Sequence, residues 1–198
     1  MPGANVFVQS NRQAHAPRCG EMGPGPRAGD RIGVKSSMPS SRPLTTHDGR
    51  SIEVRLLAAG DLAPYRGLQR LFAEAFEDAA SYLSRPPTDA YVHRWLASTS
   101  HVALVALADG AVVGGLAAYV LEKFEQERNE VYLYDLAVAE GERRRGIATA
   151  LIGELRSLAR ARGAWVLFVQ ADRGDEPAIR LYASLGRREE VLHFDLLV

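Results

Sequence analysis

The sequence predicts a single α/β (α+β) domain built around one mixed, mostly antiparallel sheet flanked by helices. Three observations predict it. Segments that alternate apolar and polar residues interleave with segments of helical periodicity from residue 51 to residue 197. Asp109-Gly110 separates two apolar runs, as the tight turn of a hairpin would. Residues 164–170 form a continuous apolar run of the kind found in strands buried on both faces.

The elements follow in order. Residues 51–57 set Ile52, Val54 and Leu56 against Glu53 and Arg55, which reads as a strand. Asp61 stands where it can cap the next helix, in which Leu68, Leu71, Phe72, Ala75 and Phe76 recur at helical spacing. Pro86-Pro87 breaks that pattern, and Thr88 can cap a short helix running through Tyr91, Val92 and Trp95 to Leu96. Strands are expected over residues 101–107, 111–120 and 130–138. A long helix over residues 146–162 turns Ile147, Ala150, Leu151, Leu155, Leu158 and Ala159 inward. A helix over residues 175–185 stops at Gly186, and residues 191–197 read as a final strand.

Composition excludes several classes. Lys plus Arg and Asp plus Glu each number 24, so no net field draws the protein to nucleic acid or anionic lipid. Cys19 is the single cysteine, so an intrachain disulfide is impossible, which fits a reducing cytoplasm. The five histidines and the cysteine show no metal-ligand spacing, so no metal is expected. No apolar stretch reaches the roughly 18–20 residues of a membrane helix. Residues 1–49 differ from the rest. They are rich in Pro and Gly, lack periodicity, and are expected to be disordered or an upstream extension of the reading frame, with Met22 and Met38 as alternative starts. Residues 50–198 then form the domain.

The chemistry is carried by Val131-Tyr-Leu-Tyr-Asp-Leu-Ala-Val138, a short loop, and Arg143-Arg-Arg-Gly-Ile-Ala148. Three arginines precede a glycine at the mouth of a helix. Unpaired backbone N–H groups and the helix dipole favour an anion there, and the arginines add charge-assisted bonds. Gly146 lets the backbone approach a ligand closely, and Ala148 is small for the same reason. The site suits a pyrophosphate, although a solvated basic helix start is the simpler alternative. Asp135 is a carboxylate in an otherwise apolar and aromatic strand, a costly placement without a purpose.

Arg143-x-x-Gly146-x-Ala148 after an apolar strand resembles the acetyl-CoA signature of the GNAT superfamily of N-acyltransferases. The later Ala178-Ile-Arg-Leu181-Tyr182-Ala-Ser-Leu185-Gly186 resembles that superfamily's next block. Longer strings are similar to the type I aminoglycoside 3-N-acetyltransferases, or gentamicin acetyltransferases. They are Gly115-Leu-Ala-Ala-Tyr-Val120, Lys123-Phe-Glu-Gln126, Tyr134-Asp-Leu-Ala-Val138, Val169-Gln-Ala-Asp172, Arg188-Glu-Glu-Val191 and His193-Phe-Asp195.

The resemblance implies a GNAT fold with splayed parallel strands and acetyl-CoA as co-substrate. It implies pantetheine along Leu136, Ala137 and Val138, and pyrophosphate on Arg143, Arg144, Arg145, Gly146, Ile147 and Ala148, with Thr149 close by. Asp135 is then the base or the anchor of the amine, and Tyr182 the acid that protonates the departing thiolate. A structural Asp and a packed Tyr are the alternatives. Many relatives carry an Asn where Asp175 stands, so Asp175 is read as a helix cap or a substrate contact. The acceptor is expected to be a polycationic small molecule, held by acids at Glu77, Asp78, Asp135, Asp172, Asp175, Glu176 and Glu190 and by a wall at Tyr132 and Tyr134. Two further readings stay open: the same chemistry on a polyamine, amino sugar or protein amine, and a non-catalytic acetyl-CoA-binding module. A homodimer is compatible with the sequence.

Because residues 1–37 contribute no periodic apolar face, their deletion is expected to leave activity and thermal midpoint unchanged. A large drop in the midpoint of the shortened chain would show that the tail packs on the domain.

Overall fold

A computed structural model describes residues 41–45, 49–194 and 196. Cys19 and most of the tail read as disordered or extraneous lie outside the described residues. The elements run β1 Ser41–Thr45, β2 Ser51–Leu56, α1 Leu62–Ala75, α2 Ala79–Leu83, α3 Asp89–Ala97, β3 His101–Ala108, β4 Ala111–Glu122, β5 Asn129–Val138, α4 Ile147–Ala161, β6 Ala164–Val169 and α5 Glu176–Leu185.

The strands lie in chain order in one sheet, β1-β2-β3-β4-β5-β6. Neighbours are antiparallel until the last pair, β5 and β6, which is parallel. Helix α4 makes that pairing possible, since parallel neighbours need a crossover. Asp109 and Gly110 both take positive φ, 50° and 80°, as the predicted two-residue hairpin between β3 and β4 requires.

Each face of the sheet has its own core. On one face, Ile147, Leu151 and Leu155 of α4 bury themselves against Ile52, Leu104, Leu116, Val131 and Leu133. On the other, Leu68, Leu71 and Phe72 of α1 pack on Ala103, Val105 and Ala137. Gly115 of β4 permits the second contact. A Cβ there would stand 2.4 Å from Leu68 Cδ1 and 2.7 Å from the Leu104 carbonyl oxygen. The leucine tip can yield, but the backbone oxygen cannot move without disturbing the β3–β4 ladder.

Strand β5 carries two irregularities that matter for function. Opposite β4, Ala117 pairs with Asp135 and Ala118 with Leu133, which leaves Tyr134 as an extra residue. In a regular strand Leu133 and Asp135 would share a face. The bulge breaks that alternation. Leu133 lies in the α4-side core, whereas Ala137, two residues past Asp135, lies in the α1-side core. The second irregularity is the fork. Pairing of β5 with β6 runs from Asn129↔Ala164 to Leu133↔Val169 and stops, so residues 134–138 pair only with β4. The expected splay of the parallel strands is therefore present.

Several local expectations are corrected. Asp61 sits at the α1 N-cap position without capping it. Its carboxylate instead accepts from Ala58 N–H at 2.7 Å and Arg55 Nη1 at 2.9 Å. Helix α2 is an addition that five residues of weak periodicity did not announce. β1 falls within the stretch read as lacking strands. As an edge strand it takes its register from backbone pairing with β2, which apolar alternation does not report. β6 is apolar but not buried on both faces: Trp165 is 45% exposed, and among the described residues β6 is an edge strand of the sheet. Residues 191–194 form no strand. Alternation marks a segment able to lie half-buried, but a strand also needs a ladder partner, and residues 191–194 have none.

Gly115→Ala is expected to lower stability by about 1–3 kcal/mol, the usual cost of overpacking. Urea unfolding reads this as a lower midpoint at unchanged slope. A wild-type midpoint would mean that the contact between α1 and β4 relaxes freely.

Candidate active site

Asp135 lies where the bulge delivers it, on the α1 side of the sheet just past the β5–β6 fork. Its Oδ1 accepts a hydrogen bond from the Tyr82 hydroxyl at 3.0 Å. Burial pushes the carboxyl up to about 6, against a downward pull from that hydrogen bond. Phenols surround it. Tyr119 of β4 meets Tyr134 edge to face at 5.6 Å, and Tyr134 meets Tyr132 at 5.6 Å. Burial, and then the Asp135 charge, raise all of Tyr82, Tyr119, Tyr132 and Tyr134 above the ordinary phenol value. These rings therefore stay neutral at pH 7. The site combines one carboxylate with several π faces, which is the chemistry that receives an ammonium group.

The fork presents backbone groups. Ala139 N–H donates to Val113 O at 2.9 Å, which makes that register position a hydrogen-bonded pair. Antiparallel alternation then turns the N–H and C=O of Ala137 toward β4, and those of Leu136 and Val138 toward the side β6 has left. The Val138 carbonyl is engaged by Arg143 Nε at 3.2 Å. An extended ligand entering the fork thus meets Leu136 and the Val138 N–H, while Ala137 contributes no free backbone group.

The turn before α4 is strained in the way an anion cradle requires. Arg144 and Gly146 both have positive φ, 65° and 83°. A Cβ on Gly146 would meet nothing within 4 Å, so the turn faces open space. The first intrahelical bond is Ala150 N–H to Gly146 O at 2.9 Å, so the N–H groups of Ile147, Ala148 and Thr149 precede the ladder. The Ile147 side chain is anchored in the core at 1% exposure and fixes where the helix starts. Arg143 and Arg144 are exposed. Arg145 Nη1 lies 3.3 Å from Glu142 Oε2, and Glu142 Oε1 also accepts from Arg50 Nη1 at 2.6 Å.

Tyr182 of α5 lines a cavity of about 780 Å³ together with Leu133 and Val169, the last paired residues of β5 and β6. Tyr182 thus lines the cavity that reaches the fork. Burial, with the Asp175 charge second, pushes the phenol up to about 12, so it keeps its proton at neutral pH and has one to give. The remaining acids are not gathered around Asp135. Asp78 caps α2 through Ser81 N–H at 2.9 Å, and Asp175 caps α5 through Ala178 N–H at 3.0 Å. Glu176 pairs with Arg180, and Glu190 with Arg188 and Arg173. Glu77 and Asp172 are exposed in loops.

Residues 65–186 match the acetyltransferase (GNAT) family. The chain belongs to that family. Among solved structures it is similar to HMB0005, an aminoglycoside acetyltransferase from an uncultured soil metagenomic sample, at 55% identity and a TM-score of 0.73. That match covers 75% of this chain and 99% of the other. It is also similar to meta-AAC0020, an aminoglycoside acetyltransferase from an uncultured soil metagenomic sample solved with sisomicin. There the identity is 32%, the TM-score 0.69, and the coverage 74% and 96%. A ribosomal-protein-alanine N-acetyltransferase from Brucella melitensis biovar Abortus 2308, 24% identical with TM-score 0.59 over 74% and 99%, shares the fold. No curated protein compared with the chain matches it.

GNAT acetyltransferases use acetyl-CoA, and the residues present fit it. The left-handed turn at residues 144–146, the open space over Gly146 and the free α4 N–H groups suit a pyrophosphate. The fork suits an extended amide-bearing arm. Sequence reasoning placed Tyr132 and Tyr134 beside Asp135 as wall residues but missed Tyr82 and Tyr119. Tyr119 had a signal, being the aromatic residue within the string Gly115-Leu-Ala-Ala-Tyr-Val120. Tyr82 had none, because 53 residues separate it from Asp135.

Arg143→Ala combined with Gly146→Asp places a negative charge and a strained side chain in the turn. CoA affinity measured by calorimetry is expected to fall at least ~10-fold, about 1.4 kcal/mol. Unchanged affinity in the folded double variant would rule out pyrophosphate on this turn.

Proposed function

We propose that this GNAT acetyltransferase moves the acetyl group of acetyl-CoA to the 3-amino group of an aminoglycoside such as gentamicin, and so confers antibiotic resistance. One observation carries the reading: a half-buried carboxylate, walled by neutral tyrosines, stands beside the fork that suits the acyl donor. HMB0005 and meta-AAC0020, the similar structures, are aminoglycoside acetyltransferases, and the second was solved with sisomicin. The 3-position rests on the longer motif strings around Tyr134-Asp-Leu-Ala-Val138.

Acetyl-CoA supplies the acyl group as a thioester, whose C–S bond breaks as the acceptor nitrogen forms the new amide C–N bond. The protein's own groups handle the charges and protons. Asp135, ionised above about pH 6, holds the acceptor ammonium and takes one of the two protons that nitrogen gives up, the other leaving to solvent. The tyrosine wall offers ring faces to the rest of a cationic sugar. Leu136 N–H or Val138 N–H polarises the thioester carbonyl. Tyr182 gives its proton to the departing sulfur and recovers one from solvent. Direct attack in a ternary complex is the reading because the chain's single thiol, Cys19, lies in the tail.

Asp135→Asn keeps size and removes both charge and basic oxygen. If Asp135 is the base, kcat with gentamicin is expected to fall ~10²-fold or more. If it only anchors the ammonium, the loss appears chiefly in KM. CoA affinity stays at wild type in either case. In the wild type, kcat/KM is expected to decline as pH falls through about 6, because protonation neutralises the carboxylate that the cation needs. Wild-type kinetics in the Asn variant would sink the assignment. A thiol-release panel of gentamicin, kanamycin, spermidine and a histone-like peptide, with the acetylated nitrogen located by NMR, tests the acceptor class and position.

A further inference from the structure

We propose that Tyr82 is a positioning residue, which ties down one carboxylate oxygen of Asp135 and leaves the other for the acceptor amine. The inference rests on Asp135 acting on that amine.

The local chain is built to deliver this hydroxyl. α1 ends in a tight reversal: Glu77 takes a left-handed φ of 53°, and Asp78 N–H reaches back to Ala73 O at 3.0 Å. Asp78 then caps α2 through Ser81 N–H. α2 spans five residues and contains no buried residue, so its own packing does little to hold it. Tyr82 supplies the anchor. Its ring lies against Phe72 at 5.7 Å and Phe76 at 5.9 Å, and its hydroxyl reaches Asp135 Oδ1 on the same face of the sheet at 3.0 Å. A phenylalanine would satisfy the ring contacts equally well. The hydroxyl has a use only at the carboxylate.

The effect on Asp135 is directional. A hydrogen bond donated to the ionised form favours that form, and Tyr82 opposes the burial that drives the carboxyl upward. The groups facing Asp135 from the packed elements are Tyr82 of α2, Tyr119 of β4, and Tyr132 and Tyr134 of β5, all phenols raised by burial. Asp78, at the head of α2, acts on Tyr82, and Tyr65 of α1 and Tyr91 of α3 act on Tyr119. His101 of β3 stands behind Tyr119, with ring centroids 5.6 Å apart. Without the Tyr82 hydroxyl, Asp135 keeps its burial and loses its donor.

The test is Tyr82→Phe in the full-length chain, with gentamicin kinetics from pH 5 to pH 9, CoA calorimetry and thermal midpoint. The acid limb of kcat/KM is expected to move up by roughly one pH unit. Activity should recover toward wild type above about pH 8, with CoA affinity unchanged. Two results overturn the proposal: a pH profile that superimposes on wild type, or a loss of the same factor at every pH, which marks a merely structural contact. Asp135→Asn and the double variant run in parallel. If Asp135→Asn loses activity while Tyr82→Phe behaves as wild type, the Asp135 reading stands and the Tyr82 proposal fails. If Asp135→Asn is itself wild type, both fail. Coupling is expected as well: Tyr82→Phe should add little to the defect of Asp135→Asn, and full additivity would count against the proposal.

Discussion

The extra residue in β5 governs the arrangement of the site. A strand alternates its side chains with period two, so without an insertion Asp135 would follow Leu133 into the dry core beneath α4. A carboxylate there would face Leu151 and Leu155 with no donor, at a cost of several kcal/mol. Tyr134 takes up the extra position, and Asp135 emerges on the opposite face, where Tyr82 meets it. β5 also leaves β6 at this point, just after Leu133. Bulges increase local twist, and a strand that twists away from its parallel neighbour bares one edge of its backbone. The same few residues thus place the carboxylate on one side and the unpaired N–H groups on the other.

Those two features would be inert without their surroundings. Burial drives the Asp135 carboxyl toward its neutral form, and a neutral acid can neither attract an ammonium nor take its proton. The Tyr82 hydrogen bond works against burial and leaves the carboxyl at about 6, close to the pH at which the reaction must run. Tyr182 lies at the other extreme, pushed up to about 12, and retains its proton. Two titratable groups near one fork have been driven far apart, one able to accept and the other able to donate. The aromatic wall keeps the dielectric low without adding competing charge. Most of the remaining acids are spent on helix caps and arginine pairs, so the acceptor's charge is met principally at Asp135.

The phosphate end relies on the backbone. Arg144 and Gly146 in left-handed conformations aim successive N–H groups outward, and Ile147, sealed in the core, fixes the register at which α4 begins. The helix start is rigid because its first side chain is a core residue. This differs from a cluster of flexible arginines, in which each bond would carry its own ordering entropy. Gly115 has the analogous role on the other face, letting α1 close over the sheet and bring α2 with it.

Local physics made much of this readable from the chain alone. Helix and strand periods, the Asp109-Gly110 turn and the cap at Thr88 depend on residues a few positions apart, and they lie where the pattern placed them. The Arg-Arg-Arg-Gly-Ile-Ala run carries its own geometry, since only a glycine adopts the turn at residue 146 cheaply. Asp135 stood out because an isolated carboxylate in an apolar strand demands an explanation. What the sequence could not determine was anything decided by pairing across the chain. The missing period at Tyr134 becomes visible only against β4. The Tyr82 contact joins residues 53 positions apart, and β1 owes its strand to β2. The apolar run of β6 promised burial on two faces, but covering a face takes packing from another element, and composition does not encode that. Residues 191–194 alternate like a strand and are not one, because alternation is a property of the chain and a ladder is a property of two chains' segments meeting.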